Sequence, residues 1–381
     1  MNINAQVAEM LQADPSLTPE DIAKALKVSI RKANSAFKAA SIDAEPISEF
    51  DKRDEILNEL QIEEAEAKNA QLAAAHWEQA AIAKEEELAR ITGSNSSQAG
   101  IYEVPATRGS QSETIPLLLL SDWFIDTEVK SLQVMGLNEY NKNISKQRGD
   151  DVIRKAVKLW ELRRRTGTKI ETGVVWLGGG FISARPGERY TGQFTTPAEA
   201  AKVATDRLYS AIQFILKHGN LKHLIIPCTA GGITENPTKA EMGKGNPYEW
   251  CIYNRLAELF KNDKRVVFFA PRGQHVQINV FGKLIRFSYG DSINYRDGVG
   301  GLTIPLRKRI NAWNVAREAF LDCFGRWKTY MPGRIFVGNG SLIGYTPAAQ
   351  ASGVEFEKPM QSLIYIEKKY GVASYEPIFV S

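Results

Sequence analysis

Residues 115–124, reading IPLLLLSDWF, constrain this chain more than any other stretch. Four successive leucines, Leu117, Leu118, Leu119 and Leu120, leave no polar face, so a strand made of them must be covered on both sides. The run is far too short to cross a bilayer. It ends abruptly in Ser121, Asp122 and Trp123. A carboxylate just beyond the C-terminal end of a buried strand lies where open α/β sheets keep their binding sites. The sequence after this stretch reads as strands and helices built around that edge, and the sequence before it reads as appended.

The later pattern alternates. A helix is predicted over 144–165, with Ile153, Val157 and Leu162 facing inward. A buried strand over 172–177 runs into Gly178, Gly179 and Gly180. A helix over 197–217, a strand over 221–227 and a helix over 248–260 follow. Strands are then predicted at 266–269, 276–280, 284–288, 335–337 and 362–366. Alternating strands and helices, then a run of strands, predict a layered α/β sandwich.

Before the leucine run, residues 1–45 suggest three short helices. Val7, Met10 and Leu11 share one face. Thr18 caps a second helix that has Pro19 at its first position and Glu20 and Asp21 at its positive end. After a turn at Lys27 and Val28, a third helix carries Arg31, Lys32 and Lys38. The unit resembles a helix-turn-helix, in which the third helix enters the DNA major groove; a docking or oligomerisation unit with an ordinary basic face reads equally from these residues. Residues 46–92 are rich in Ala, Glu and Lys and predict a helical arm without a clean heptad. Such an arm serves either homo-oligomer pairing or as a solvated spacer. Residues 93–114 hold GSNSSQAG and RGSQSE, the chemistry of a flexible linker. A C-terminal domain then spans 115–381.

Bulk numbers exclude little. Of 381 residues, 43% are hydrophobic and 24% charged, and the net charge is +4, all ordinary for a globular chain. Basic residues are spread along its whole length, which permits a nucleic-acid partner without arguing for one. Cys228, Cys251 and Cys323 have no ligand spacing, which points to buried thiols in a reducing compartment. No apolar run reaches membrane-spanning length, and the start lacks the charged and apolar regions of a signal peptide. The expectation is a cytoplasmic protein with no membrane partner.

Several loops carry a resemblance over about 116–381: SDW at 121–123, GLNEYN at 136–141, LGG at 177–179, YEW at 248–250, YGDSINYR at 289–296, GVGG at 298–301 and NGSLIGY at 339–345. Their order resembles the calcineurin-like metallophosphoesterases, in the phage and bacterial branch that includes DNA-repair-exonuclease-like proteins. The resemblance implies a four-layer α/β/β/α sandwich and a site for two divalent metals. The family's motifs are Asp-x-His, Gly-Asp, Gly-Asn-His, a His before Gly-Asp, and Gly-His-x-His. Two metals clamp the phosphate while a bridging hydroxide attacks it in line, held by carboxylates, imidazoles and an amide.

Matched position by position, only Asp122 remains. The partner His is Phe124, and the bridging Asp is Gly180. The Asn-His pair is Thr229 and Ala230, the later His is Tyr289, and the closing pair is Arg326 and Lys328. The four histidines, His76, His218, His223 and His275, fall in no motif. Phe, Gly and Ala offer no donor atom, and Arg and Lys repel. At an effective dielectric of ~20, unit charges 4 Å apart interact by about 4 kcal/mol, and a dication is repelled by roughly twice that. The expectation is a metallophosphoesterase-like pseudoenzyme, with no catalytic residue, metal or cofactor, that binds or scaffolds. Its partners would be DNA, through Arg31, Lys32 and Lys38, or a phosphate group held by Arg326, Lys328 and the backbone of Gly179 and Gly231. The alternative is an active Mn²⁺- or Mg²⁺-dependent phosphodiesterase or nuclease with relocated ligands, drawn from Asp122, Asp126, Glu188, Asp291 and Asp297.

Overall fold

In a computed structural model of the chain, residues 3–42, 101–105, 113–184, 192–231, 246–271, 273–293 and 301–381 are described. The chain divides into two compact units, Met1–Gln79 and Ala80–Ser381. The expected arm at 46–92 lies outside the described residues, as does most of the expected linker.

The first unit holds α1 (Ile3–Ala13), α2 (Pro19–Ala25) and α3 (Ile30–Ile42). Thr18 and Asp21 form a reciprocal capping box at the start of α2, satisfying two backbone donors that a helix start leaves unpaired. Lys27, with φ of 51°, makes the turn toward α3. Val7, Ile22, Ala33 and Ala36 form the buried core. Arg31, Lys32 and Lys38 are all exposed on α3.

The second unit contains two six-stranded mixed sheets. In the first, β2 (Thr114–Leu120), β3 (Thr172–Leu177), β4 (His223–Pro227) and β5 (Val266–Phe269) run parallel in that spatial order. β11 (Met360–Glu367) pairs antiparallel with β2 on its other side, and β12 (Gly371–Phe379) pairs antiparallel with β11. In the second sheet the order is β1, β6, β7, β8, β10, β9. Its strands are β1 (Tyr102–Glu103), β6 (Val276–Val280), β7 (Lys283–Ser288), β8 (Leu321–Phe324), β9 (Met331–Pro332) and β10 (Phe336–Gly338). Residues 102–103, read from sequence as linker, pair in parallel with β6. Thr172 Oγ1 donates to the Pro105 carbonyl at 2.9 Å, so this end of the linker stretch is docked.

The leucine run shows why the sandwich forms. Leu117 and Leu119 pack with Trp176, Phe287, Cys323 and Val337, joining the two sheets face to face. Leu118 and Leu120 point the other way, into a second cluster with Val152, Trp160, Leu208 and Tyr253. Those residues lie on α4 (Lys142–Arg165), α5 (Pro197–His218) and α6 (Pro247–Leu259). All four leucines are at most 1% exposed, and burying each contributes about 1.5–3 kcal/mol. On α4, Ile153 and Val157 are buried as expected, but Leu162 is 45% exposed. Trp160 takes the inward position instead, because it lies three residues beyond Val157 on the same helical face. α7 (Thr303–Asn314) packs Leu306 and Ile310 with Phe324 and Phe336 of the second sheet. No described helix is long and apolar enough to cross a membrane.

Candidate functional site

The C-terminal ends of parallel strands from both sheets converge. Asp122 follows β2, the glycines at 178–180 follow β3, Thr229 to Gly231 follow β4, Tyr289 follows β7, and Arg326 and Lys328 follow β8. The backbone binds these ends together. Asp122 N donates to Gly179 O at 2.9 Å and Phe124 N to Gly180 O at 2.8 Å. Leu342 N, beyond β10, donates to Asp122 O at 3.2 Å.

Asp122 sits at the centre and is fully buried. Its Oδ2 accepts from Ser121 Oγ at 2.7 Å and from Arg326 N at 2.9 Å. Its Oδ1 accepts from Tyr289 Oη at 3.1 Å. Burial raises its pKa to about 6, opposed by the Ser121 bond, the Lys328 charge, and the Arg326 and Tyr289 bonds. Ser121 is fixed in turn, its Oγ receiving Asn339 Nδ2 at 3.0 Å and its N–H donating to Gln361 Oε1 at 2.9 Å.

The positions that the resemblance assigns to metal ligands engage one another. Lys328 Nζ lies 4.7 Å from the ring centroid of Phe124, a cation–π contact. Arg326 Nη1 forms an ion pair with Asp291 and its guanidinium stands over the Trp327 ring. Tyr289 bonds Asp122. Thr229 Oγ1 accepts from Trp176 Nε1 and donates to Gly178 O, both at 3.1 Å. Ala230 packs against the helix-side core. Gly180, with φ of 69°, has no side chain, and a Cβ there would lie 3.0 Å from Asp122 Oδ1. Four non-glycine residues here have left-handed backbone: Asp122 at 58°, Phe124 at 44°, Arg326 at 67° and Lys328 at 56°. Such conformations cost of order 1–3 kcal/mol each and gather where surrounding structure over-determines them.

A second buried carboxyl escaped the sequence reading. Glu249 Oε1 accepts Phe181 N at 3.0 Å, and Oε2 accepts Gly231 N at 2.5 Å. Burial raises its pKa to about 8, against those backbone bonds, and the Asp122 charge raises it further. Beside it, the Tyr253 hydroxyl donates to the Thr229 carbonyl at 2.9 Å. Hence the Gly231 donor, read from sequence as part of a phosphate cradle, is engaged by a side chain of α6. In the sequence Glu249 looks like an ordinary first-turn acid: Asn246 caps α6, Pro247 opens it, and a Glu three residues past the cap is standard helix-start chemistry. The YEW motif was the signal available.

The carboxylates proposed for relocated metal sites are also occupied. Asp126 accepts Ser183 N at 2.7 Å and Ser183 Oγ at 3.1 Å, and Asp291 pairs with Arg326. Asp297 and Glu188 lie outside the described residues. Among the described residues, no group of three or more His, Cys, Asp or Glu side chains is gathered as a metal would require. His218 lies tilted against Phe214 with ring centroids 4.4 Å apart, His223 begins β4, and His275 packs edge-on to Trp313 at 4.6 Å. His76 lies outside the described residues. Among the described residues at the positions matched to the family's ligands, Asp122 is the one carboxylate, and it already accepts from three donors.

The fold and site define a two-sheet α/β protein with a buried, internally satisfied carboxylate at the strand edge. No family model matches the chain, and no curated protein does. Among solved structures it is similar to a hypothetical protein, PH1004, from Pyrococcus horikoshii OT3, at 14% identity. The match covers 70% of this chain and 88% of that one, with a TM-score of 0.34.

Proposed function

We propose that the second unit is a metallophosphoesterase-like α/β/β/α body whose dimetal site has been replaced by contacts among its own side chains, and that it acts by binding or scaffolding rather than hydrolysis. One observation carries the reading: Asp122 takes its hydrogen bonds from Ser121, Arg326 and Tyr289, while Phe124 and Lys328 contact each other. Four of the ligand-equivalent positions, Phe124, Tyr289, Arg326 and Lys328, thus turn on Asp122 or on one another. The left-handed backbone at 122, 124, 326 and 328 supports descent from a loop geometry built for ligands. The exposed cations of α3 support a DNA contact by the first unit.

Elemental analysis after dialysis against Mn²⁺ and Mg²⁺, with a turnover assay on a generic phosphodiester, tests the central reading. The expected result is no stoichiometric metal and no metal-dependent turnover. Two tightly held metals per chain, or hydrolysis that appears with manganese and vanishes with chelator, would overturn it.

A further inference from the structure

α7 reads TIPLRKRINAWN and contains no acidic residue. Leu306 and Ile310 are buried and turn toward the second sheet. Helical spacing then places Ile304, Lys308, Asn311 and Val315 along the opposite face, with Arg307 and Arg309 on its flanks. Ile304 is 48% and Val315 89% exposed. Ile304 and Pro305 line a surface recess together with Lys308 and Arg309.

On other helices several exposed cations are matched. Lys146 pairs with Asp150, Arg154 with Asp151, Arg165 with Glu161 and Arg255 with Glu258. Among the described residues, Arg307, Lys308 and Arg309 have no ion-pair partner, and the next acid along the chain is Glu318. Three like charges within one turn repel and weaken a helix by tenths of a kcal/mol per pair. A bound polyanion offsets that repulsion.

We infer that the exposed face of α7 is a phosphodiester-binding surface that takes nucleic acid, independent of the α3 cations of the first unit. Lysine and asparagine side chains on the exposed face, with an arginine on either flank, suit phosphate oxygens. An anionic membrane fits less well. Ile304 and Val315 stand at opposite ends of the face, about 16 Å apart at ~1.5 Å per residue, and leave no continuous apolar stripe to insert.

Fluorescence anisotropy of the full-length protein with a labelled 20-base-pair duplex, between 50 and 200 mM NaCl, tests the proposal. The variants are R307Q/K308Q/R309Q and, for the first unit, R31Q/K32Q/K38Q. Three phosphate contacts on a duplex contribute about −2.7 to the slope of log affinity against log salt, or about 40-fold over that range. The expected result is that the α7 variant loses this contribution while the α3 variant keeps it. An α7 variant with wild-type circular dichroism and melting temperature whose salt slope is unchanged overturns the proposal. So does wild-type protein that ignores the duplex yet binds phosphatidylserine vesicles, or that binds neither.

Discussion

Asp122 is held in a state that depends on pH. Its pKa rises from 3.8 to about 6 on folding, chiefly through burial. The unfolded chain therefore releases this proton more readily, and stability falls as pH rises from about 4 to 6. At 1.36 kcal/mol per pKa unit, the effect is on the order of 3 kcal/mol. Glu249, raised from 4.5 to about 8, continues the decline in the same direction over its own window. Asp122→Asn has the same shape and carries no charge. Its amide can donate to Tyr289, whose hydroxyl can turn to accept. Melting temperatures from pH 4 to 6 should fall for the wild type and stay nearly level for the variant, apart from the part due to Glu249. Equal slopes for the two proteins would show that Asp122 is not the titrating group. The site was only partly legible at this scale. Asp122 and Tyr289 stand at strand ends read from sequence, whereas Arg326 and Lys328 follow β8, a strand the sequence did not reveal, and the side-chain pairing among the four follows from three-dimensional approach that spacing does not encode.

Elements covered on both faces were the legible ones. β3, β5 and β6 have the bounds read from sequence, because doubly covered or strictly alternating strands leave unbroken apolar signals. β8 was missed. Its LDCF puts Asp322 inside a strand, where Arg286 pairs with it at 2.6 Å in a buried ion pair; an aspartate in four residues reads as loop. α7 was missed because a glycine tract precedes it and Pro305 lies in its first turn. β1, two residues long, is below any periodic signal. The alternation within β2 makes a matched test. Leu118→Ala opens a void on the helix side and Leu119→Ala one between the sheets, and each should cost about 2–5 kcal/mol. Urea unfolding should show both losses, with a change in midpoint and an unchanged slope. A loss below about 1 kcal/mol at either position would contradict two-sided packing of this strand.

For the whole molecule, internal pairing at the site makes a further expectation. A protein whose fold includes bound metal is destabilised by chelators, since ligand binding adds to the free energy of the native state. Here EDTA should leave the melting temperature of the full-length chain unchanged, and added Mn²⁺ should not raise it. A shift of several degrees in either experiment would mean that cations hold the sandwich together. The layered architecture was legible from the order of strands and helices. The division into two units falls between Gln79 and Ala80, within the stretch read as a helical arm and not in the expected linker, and residues 101–105 already belong to the second unit before the leucine run.

Glu249 has one more implication. Its carboxyl is tethered to α6 and already seated on the amides of Phe181 and Gly231. A visiting anion seeking those amides competes with a resident whose effective concentration is set by covalent attachment, and even flexible tethers reach about millimolar. Only a guest able to evict that resident, or one that comes when it is protonated, would gain entry to the nest.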